Sequence, residues 1–241
     1  MATDGRAGRV GGDRCLADLN TRGHGISIRQ FGRTGNQRSF VVPLPYRAKG
    51  FAVNAGSLAL KGLVFTTFFD FCEERFGSDM LEDVIDDACL PHGGAFTSVG
   101  TYPFGEMVAL ITALVKRTGT TMPQVLERFG AYCFGCWVRK FPALFDGRDL
   151  FDVLADIDNF HETEVRKLYP DAELPSFKVV SRTADYLQLD YHSCKPLADL
   201  AVGVIQGAGA YLNSPVSVTF RAAGDRVRFR VDRVQTRRLA A

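Results

Sequence analysis

The chain has 241 residues, 46% of them hydrophobic and 23% charged, with a formal net charge of +2. This composition is that of a globular protein with a full core, and it excludes collagen, coiled coils and small disulfide-stabilised secreted domains. No apolar run approaches the roughly 18 residues that a membrane-spanning helix needs. Residues 1–14 lack the apolar segment of a secretory signal. We therefore expect a cytoplasmic protein whose six cysteines are free thiols.

Charge is distributed unevenly along the chain. Residues 1–58 carry nine Lys and Arg against three Asp and Glu, a net +6, whereas the remaining residues have a net charge of −4. The acidic body has no cationic field with which to hold nucleic acid. The basic, Gly-rich leader shows no sustained helical or strand period. We predict that residues 1–58 are largely disordered, that one domain spans 59–234, and that 235–241 form a tail.

The predicted elements begin near Leu60. Apolar residues at helical spacing predict five helices, over 61–76, 80–88, 104–116, 122–140 and 150–169. Beyond Pro175 the pattern predicts strands over 177–181 and 186–195, a helix over 197–212, and a hairpin formed by 216–220 and 227–231. The predicted fold class is α+β, with an N-terminal helical subdomain followed by a small antiparallel sheet and a crossing helix.

One histidine stands out on the fifth predicted helix. His161 is the one polar residue on an apolar stripe formed by Leu150, Leu154, Ile157, Val165 and Leu168. A histidine in this position is either a hydrogen-bonded core residue or a ligand that presents a neutral imidazole nitrogen to a metal in an apolar cavity. Haem iron suits a single histidine, because the porphyrin supplies the other four in-plane ligands.

A second polar group follows on the predicted strand 186–195. Alternation places Tyr191, Ser193 and Lys195 on one face, so that two hydroxyls and one ammonium converge within roughly 13 Å. Three such donors suit carboxylates. A mixed-polarity edge strand without a ligand has the same pattern.

Together these two features resemble one family. The segment 158–177, with His161 followed by Pro175, is similar to the proximal-histidine helix of the haem-NO/oxygen-binding (H-NOX) family, the sensor domain also found in soluble guanylate cyclase. Leu60-Lys61-Gly62 matches the start of that family, and the resemblance covers about residues 60–234. It implies haem b in a cavity between the helical subdomain and the sheet, with His161 as the ligand of the iron.

The resemblance also implies the other site residues. Tyr191 and Ser193 match the family's Tyr-x-Ser-x-Arg haem-propionate motif, and Lys195 stands where the motif has arginine. Lysine neutralises a propionate as a point charge without a bidentate fork, so we expect weaker haem retention. Pro175 is expected to lie near the porphyrin and help to keep it bent. The apolar distal wall is expected from Val64, Phe68, Leu200 and Val204.

Leu200 bears on the choice of gas. Oxygen-binding members of the family carry a tyrosine at this position, whose hydroxyl stabilises the charge on bound oxygen, whereas NO needs no such donor. The resemblance therefore implies a sensor, not an enzyme, that binds NO and CO, excludes oxygen, and signals when NO weakens the iron–histidine bond. No kinase or cyclase motif follows the domain. The expected partner is a separate protein, by family analogy a histidine kinase or a cyclic-di-GMP enzyme.

Two other functions fit parts of the sequence. A family member that had lost its haem would be an interaction domain on the same scaffold. Cys133 and Cys136 form a Cys-x-x-Cys motif, which would carry the chemistry of a thiol-dependent redox protein. The motif falls on a predicted helix beside Trp137, and no second cysteine pair stands at zinc-binding spacing, which favours packing thiols.

Overall fold

The computed structural model describes residues 58–234, together with the backbone of three strands nearer the N-terminus. These strands form an antiparallel sheet in the order β1 (Asp18–Asn20), β2 (Gly25–Phe31), β3 (Gln37–Pro43). They lie within the leader for which the composition predicts disorder. The rest of 1–57, and 235–241, lie outside the described residues, and the domain boundaries stay a prediction.

The strands of the leader contain apolar residues at alternate positions, a pattern that composition alone does not show. The register of β2 and β3 places Ile26 opposite Val42 and Ile28 opposite Phe40. Apolar residues therefore alternate in matching positions on two neighbouring strands, which is the pattern of a paired sheet. The short period in each strand was masked by the Gly- and Arg-rich segments around it.

Four helices precede the site, at the predicted positions. They are α1 (Gly62–Phe76), α2 (Ser78–Ala88), α3 (Phe104–Thr118) and α4 (Met122–Lys140). The strands β4 (Ala59–Lys61) and β5 (Thr101–Pro103) pair antiparallel in front of α1 and α3. Gly119 ends α3 at a φ of 67°, a left-handed conformation that glycine adopts without steric cost. No helix within residues 58–234 is long and apolar enough to cross a bilayer.

Thr121 and Gln124 form a capping box at the start of α4. The Thr121 Oγ1 accepts a hydrogen bond from the Gln124 N–H at 3.4 Å, and Gln124 Oε1 accepts one from the Thr121 N–H at 3.1 Å. We expect Thr121→Ala to lower the free energy of unfolding by about 1 kcal/mol in urea titrations, because a helix donor loses its acceptor. Thr121→Ser keeps the acceptor and should stay within about 0.5 kcal/mol of the wild type. Equal midpoints for the two variants would contradict a stabilising cap.

The stretch predicted as one helix over 150–169 is built from four pieces. They are α5 (Leu150–Ala155), α6 (Ile157–Phe160), a π-helical turn (His161–Val165) and α7 (Arg166–Leu168). In the π turn the N–H of Arg166 donates to the carbonyl of His161, five residues back. Such a turn holds one residue more than an α turn, so later positions are shifted around the helix axis. Leu168, predicted on the buried stripe, is accordingly 55% exposed.

The C-terminal sheet has four antiparallel strands in the order β6-β7-β9-β8. They are β6 (Ser176–Arg182), β7 (Tyr186–His192), β8 (Val216–Ala223) and β9 (Arg226–Arg233). Helix α8 (Ala198–Tyr211) connects β7 to β8. Phe177 on β6 lies opposite Tyr191 on β7. Apart from the interrupted helix over 150–169, the predicted helices, hairpin and crossing helix are all present, and the α+β fold class is confirmed.

Strand β7 ends three residues earlier than predicted, at His192. Cys194 and Lys195 form a bend directly after Ser193, and the Ser193 Oγ accepts a hydrogen bond from the N–H of Lys195 at 3.1 Å. A side chain that bonds to nearby backbone competes with the ladder of a sheet. The two-residue alternation therefore does not extend to Ser193 and Lys195, and the bend positions these residues instead.

Two large apolar clusters and a small one around Phe104 and Val108 fill the described domain. The N-terminal cluster lies among α1 to α4 and contains Phe65, Phe68, Phe71, Leu110 and Phe129 among its buried members. The C-terminal cluster lies between the sheet and α8 and contains Leu150, Leu154, Leu187, Ile205 and Phe229. Residues of α4 and α8 contact both clusters, and Trp137 packs against both. The boundary between helical subdomain and sheet therefore runs along these two helices.

Helices α4 and α8 touch backbone to backbone. A Cβ added at Gly130 would lie 2.1 Å from the carbonyl oxygen of Leu200, and one at Gly203 would lie 1.9 Å from that of Glu127. No side chain fits at either distance, so glycine is required at both positions. This contact fixes α8, which bears Leu200 and Val204, against α4.

Candidate functional site

His161 occupies the first position of the π turn and is half-buried beside β6. Its Nδ1 lies 3.2 Å from the carbonyl oxygen of Pro175. Because a carbonyl oxygen only accepts hydrogen bonds, Nδ1 carries the proton and Nε2 keeps its lone pair. Within residues 58–234 no hydrogen-bond partner reaches Nε2. The ring is therefore oriented by one nitrogen and offers the other as a ligand.

Burial and charge act in opposite directions on the His161 imidazole. Burial is the largest effect and lowers its pKa, while the Asp158 carboxylate and the bond to Pro175 raise it. The net shift of the pKa is downward, so the ring is neutral at neutral pH, which is the form that coordinates a metal. Asp158 Oδ1 also accepts a hydrogen bond from the N–H of Phe177 at 2.8 Å. This bond ties the histidine's helix to the start of β6.

The loop of residues 169–175 connects the histidine to distant parts of the chain. Besides the local bond from Arg166 to the Pro170 carbonyl, it has three ties to residues distant in the chain, which are Asp171 to Lys61, Glu173 to Lys195, and Pro175 to His161. The Lys61 Nζ lies 2.7 Å from Asp171 Oδ1 and 2.8 Å from Thr101 Oγ1. Lys61 directly precedes α1, so the loop joins the N-terminal helices to the residue that orients the imidazole.

Tyr191 lies at the buried end of β7, 5% exposed. Burial raises its pKa to about 12, against the opposing effect of a hydrogen bond with Ser193, so the phenol stays protonated. The Tyr191 ring packs on Phe177 with centroids 5.0 Å apart, and the Phe177 ring lies 6.4 Å from that of His161. The structure thus brings Tyr191, Ser193, Pro175 and His161 into one region.

Lys195 is buried, with 4% of its surface exposed. Its Nζ lies 2.7 Å from Oε2 of Glu173 and 3.5 Å from the Cys194 Sγ. The hydrogen bond from Lys195 is the main reason that the pKa of Glu173 is lowered. The sequence pattern predicts an ammonium suited to a carboxylate, and in the structure its carboxylate partner is Glu173 of the chain itself.

The residues expected on the distal side are all apolar and lie along α1 and α8. Phe68 is fully buried, with its ring edge-on to Phe129 at 5.2 Å. Val64 and Leu200 are half-buried and pack against the same N-terminal cluster, while Val204 packs against the C-terminal cluster. Three of the four therefore share one apolar surface, and the fourth continues it along α8. None of these side chains has a hydrogen-bond donor.

The Cys-x-x-Cys motif lies within α4, as predicted. Cys133 is buried, Cys136 is half-buried, and both are free thiols. Burial is the main cause that raises the pKa of each thiol. Reactive thiolates need a lowered pKa, so these cysteines have the environment of packing residues. No group of three or more His, Cys, Asp or Glu side chains suited to a metal ion occurs among the described residues.

One family model matches the chain. The haem-NO-binding model matches residues 61–220, which is most of the chain. The chain belongs to the haem-NO-binding family. No curated protein sequence matches it.

Solved H-NOX structures share the fold of this haem-NO-binding protein. The unliganded Fe(II) H-NOX protein from K. algicida is 31% identical, with a TM-score of 0.67, and the match covers 75% of this chain and 100% of that one. The Fe(II)NO form of the S. oneidensis protein is 18% identical, with a TM-score of 0.66 over 73% of this chain and 100% of that one. A point mutant of the T. tengcongensis H-NOX protein is 19% identical, with a TM-score of 0.63 over 73% and 98%. The last two show similarity of fold alone.

The residues present fit a haem group. His161 has an oriented imidazole whose Nε2 is unpartnered among the described residues, so it would be able to hold the iron of a haem. The Tyr191 hydroxyl is hydrogen-bonded to Ser193 at the end of β7, and Lys195 follows two residues later, so this end of the strand carries donors that suit carboxylates. The Lys195 ammonium is not free to bind a propionate, however, because it is already hydrogen-bonded to the Glu173 carboxylate.

Two functional candidates escaped the sequence analysis. Glu173 pairs with a lysine 22 residues away, and no local pattern signals such a pair. Asp158 stands three residues before His161, a spacing that places both on one helix face and was a usable signal.

Proposed function

We propose that this protein is a haem-based sensor of NO and CO, in which His161 would hold the iron of haem b. We base this on the His161 imidazole, which Pro175 fixes in the Nδ1–H tautomer while Nε2 stays unpartnered among the described residues. Its lowered pKa keeps the ring neutral and able to ligate. Bound haem would supply a ferrous iron, which binds diatomic gases.

Three donors would hold the haem propionates. Tyr191 stays protonated as a phenol, Ser193 bonds to it, and Lys195 provides a positive charge. Charge-assisted bonds of this kind are the stronger hydrogen bonds in proteins. Pro175 would lie near the porphyrin, because its carbonyl is bonded to the ring of the proposed ligand.

The distal wall supports NO and CO over oxygen. Val64, Phe68, Leu200 and Val204 are apolar, so no donor from these positions is available to the negative charge on oxygen. NO and CO binding depends far less on such a donor. We therefore propose that oxygen is largely excluded.

The output would be a change in contacts rather than a chemical product. His161 is linked through Pro175 to the 169–175 loop, and that loop is bonded to Lys61 at the start of α1. A shift of the imidazole would therefore reach the N-terminal helices. We propose a cytoplasmic sensor, not an enzyme, that acts on a separate histidine kinase or cyclic-di-GMP enzyme.

A haem-free interaction domain is the second candidate, and one observation favours it. The buried Lys195 ammonium is satisfied by Glu173 in the protein itself, so the fold has no need of a propionate at this position. The thiol-dependent alternative has no comparable support, since the pKa values of Cys133 and Cys136 are raised.

The absorption spectrum of the full chain reconstituted with hemin tests these functions. After reduction under nitrogen we expect a Soret band that shifts on adding NO or CO, and no oxygen complex that persists in air. Leu200→Tyr, which adds a hydroxyl to the distal wall, is the matched variant and should hold oxygen longer than the wild type. Protein that stays colourless contradicts haem binding, and an air-stable oxygen complex of the wild type contradicts the selectivity.

A further inference from the structure

The Lys195–Glu173 pair is an asymmetric ion pair. The Lys195 side chain is 3% exposed and the Glu173 side chain 53% exposed, with Nζ and Oε2 2.7 Å apart. A buried ammonium is costly without a partner, whereas an exposed carboxylate is hydrated wherever it points. Lys195 therefore depends on having an anion beside it, and Glu173 does not depend on Lys195 to the same degree.

Any other carboxylate that binds beside Lys195 would interact with the same ammonium. Within residues 58–234 the one carboxylate bonded to the Lys195 Nζ is that of Glu173. The side chain of Glu173 lies on the 169–175 loop and faces water on its other side, so it can turn outward into solvent. An incoming carboxylate would take over the hydrogen bond without leaving Lys195 unpaired.

We propose that Glu173 is a resident counter-ion of Lys195, which a propionate of bound haem replaces, so that Glu173 lowers the affinity for haem. This rests on the proposed function, which places the propionates at Tyr191, Ser193 and Lys195. The free protein is stabilised by the Lys195–Glu173 pair, and haem binding must break that pair before gaining its own. Glu173 thus sets how readily the chain takes up and releases its ligand.

The exchange of Glu173 for a propionate also affects the residues that orient His161. Glu173 stands two residues before Pro175, whose carbonyl orients His161. Release of Glu173 removes one of the three long-range ties of the 169–175 loop, leaving those of Asp171 and Pro175. A carboxylate bound at Lys195 therefore loosens the segment that holds the imidazole.

Comparing porphyrins with and without carboxylates tests whether Glu173 competes with a propionate or has a purely structural role. The dissociation constants of the full chain are measured for metal-free protoporphyrin IX and for its dimethyl ester by fluorescence titration. We expect Glu173→Gln to bind protoporphyrin IX about tenfold tighter than the wild type, which is about 1.4 kcal/mol. The dimethyl ester has no carboxylates and should bind wild type and variant equally.

Glu164→Gln is the matched control, because Glu164 is a carboxylate of the neighbouring π turn that pairs with Lys167 and not with Lys195. It should leave both dissociation constants unchanged. Glu173→Asp keeps the charge on a shorter side chain, and it serves if Glu173→Gln does not fold. We expect Glu173→Asp to tighten protoporphyrin IX binding by a factor between two and ten.

The outcomes distinguish this exchange from the proposed sensor. Weaker or unchanged protoporphyrin IX binding by the Glu173 variants, or equal tightening for the dimethyl ester, would overturn the exchange even if the wild type forms a histidine-ligated haem. Tighter protoporphyrin IX binding by the Glu173 variants, with a wild type that forms no histidine-ligated haem, would leave the exchange standing and overturn the sensor. Failure of the wild type to bind any porphyrin overturns both.

Discussion

His161→Gly is expected to abolish stable haem retention, and added imidazole is expected to restore it. Within residues 58–234 the His161 Nε2 is an oriented imidazole nitrogen without a hydrogen-bond partner, and glycine leaves a space that free imidazole fills. The readout is the Soret absorbance that stays with the full chain after gel filtration. We expect it to fall at least tenfold in the variant and to recover in millimolar imidazole.

Two checks accompany the His161 experiment. His192→Gln changes a histidine at the end of β7, next to the propionate donors, and should retain haem as the wild type does. Glycine within a helix costs about 1 kcal/mol, so circular dichroism must show that the variant stays folded. A folded His161→Gly protein with undiminished haem would show that another residue is the axial ligand.

Gly130→Ala is expected to destabilise the fold by about 3 kcal/mol. The new Cβ would lie 2.1 Å from the carbonyl oxygen of Leu200, which is backbone and cannot turn away. Helices α4 and α8 must then separate along a contact that both apolar clusters share. Because Leu200 and Val204 move with α8, the variant should also weaken haem binding.

Gly135→Ala, on the same helix, is the matched control, and it is expected to raise the free energy of unfolding rather than lower it. Its nearest neighbour would be the Arg139 guanidinium at 3.7 Å, which is ordinary contact. Alanine is a better helix former than glycine, so we expect stabilisation of about 0.5–1 kcal/mol. Urea titrations of both variants give the comparison, and equal stabilities would refute a backbone contact between α4 and α8.

The sequence predicted those parts of the fold that local periodicity determines. The helical spacing of Phe65, Phe68 and Cys72 located α1, and Thr121 with Pro123 located the start of α4. Alternation in 216–231 located the β8–β9 hairpin, with its turn at Gly224. These patterns depend on residues within one or two turns of each other, so a single sequence contains the whole signal.

Features that depend on distant residues were not predictable in this way. The π turn at His161 moved Leu168 off its predicted face, because one added residue per turn changes every later position. The Lys195–Glu173 pair joins residues 22 apart, on the two sides of β6 and β7. Gly130 is required by the carbonyl of a residue on another helix, and its own neighbours in the chain give no sign of this.

The sequence indicates which residues form the candidate site, but it does not indicate the hydrogen bonds between them. His161 was found from one polar position on an apolar stripe, while its bond to Pro175 spans a loop whose path no local pattern fixes. Three apolar distal positions, Val64, Phe68 and Leu200, share a cluster that only tertiary packing assembles. Their roles as haem contacts stay predictions.

The three long-range ties of the 169–175 loop have a consequence for the order of folding. Their partners are separated by 14, 22 and 110 residues along the chain. Contacts at such separations form late, since loop closure costs entropy before any bond forms. The loop can adopt its final conformation only after α1, β7 and the π turn have formed. A partly folded chain therefore presents a freely rotating imidazole, and nascent protein becomes competent for its ligand only in the last stage of maturation.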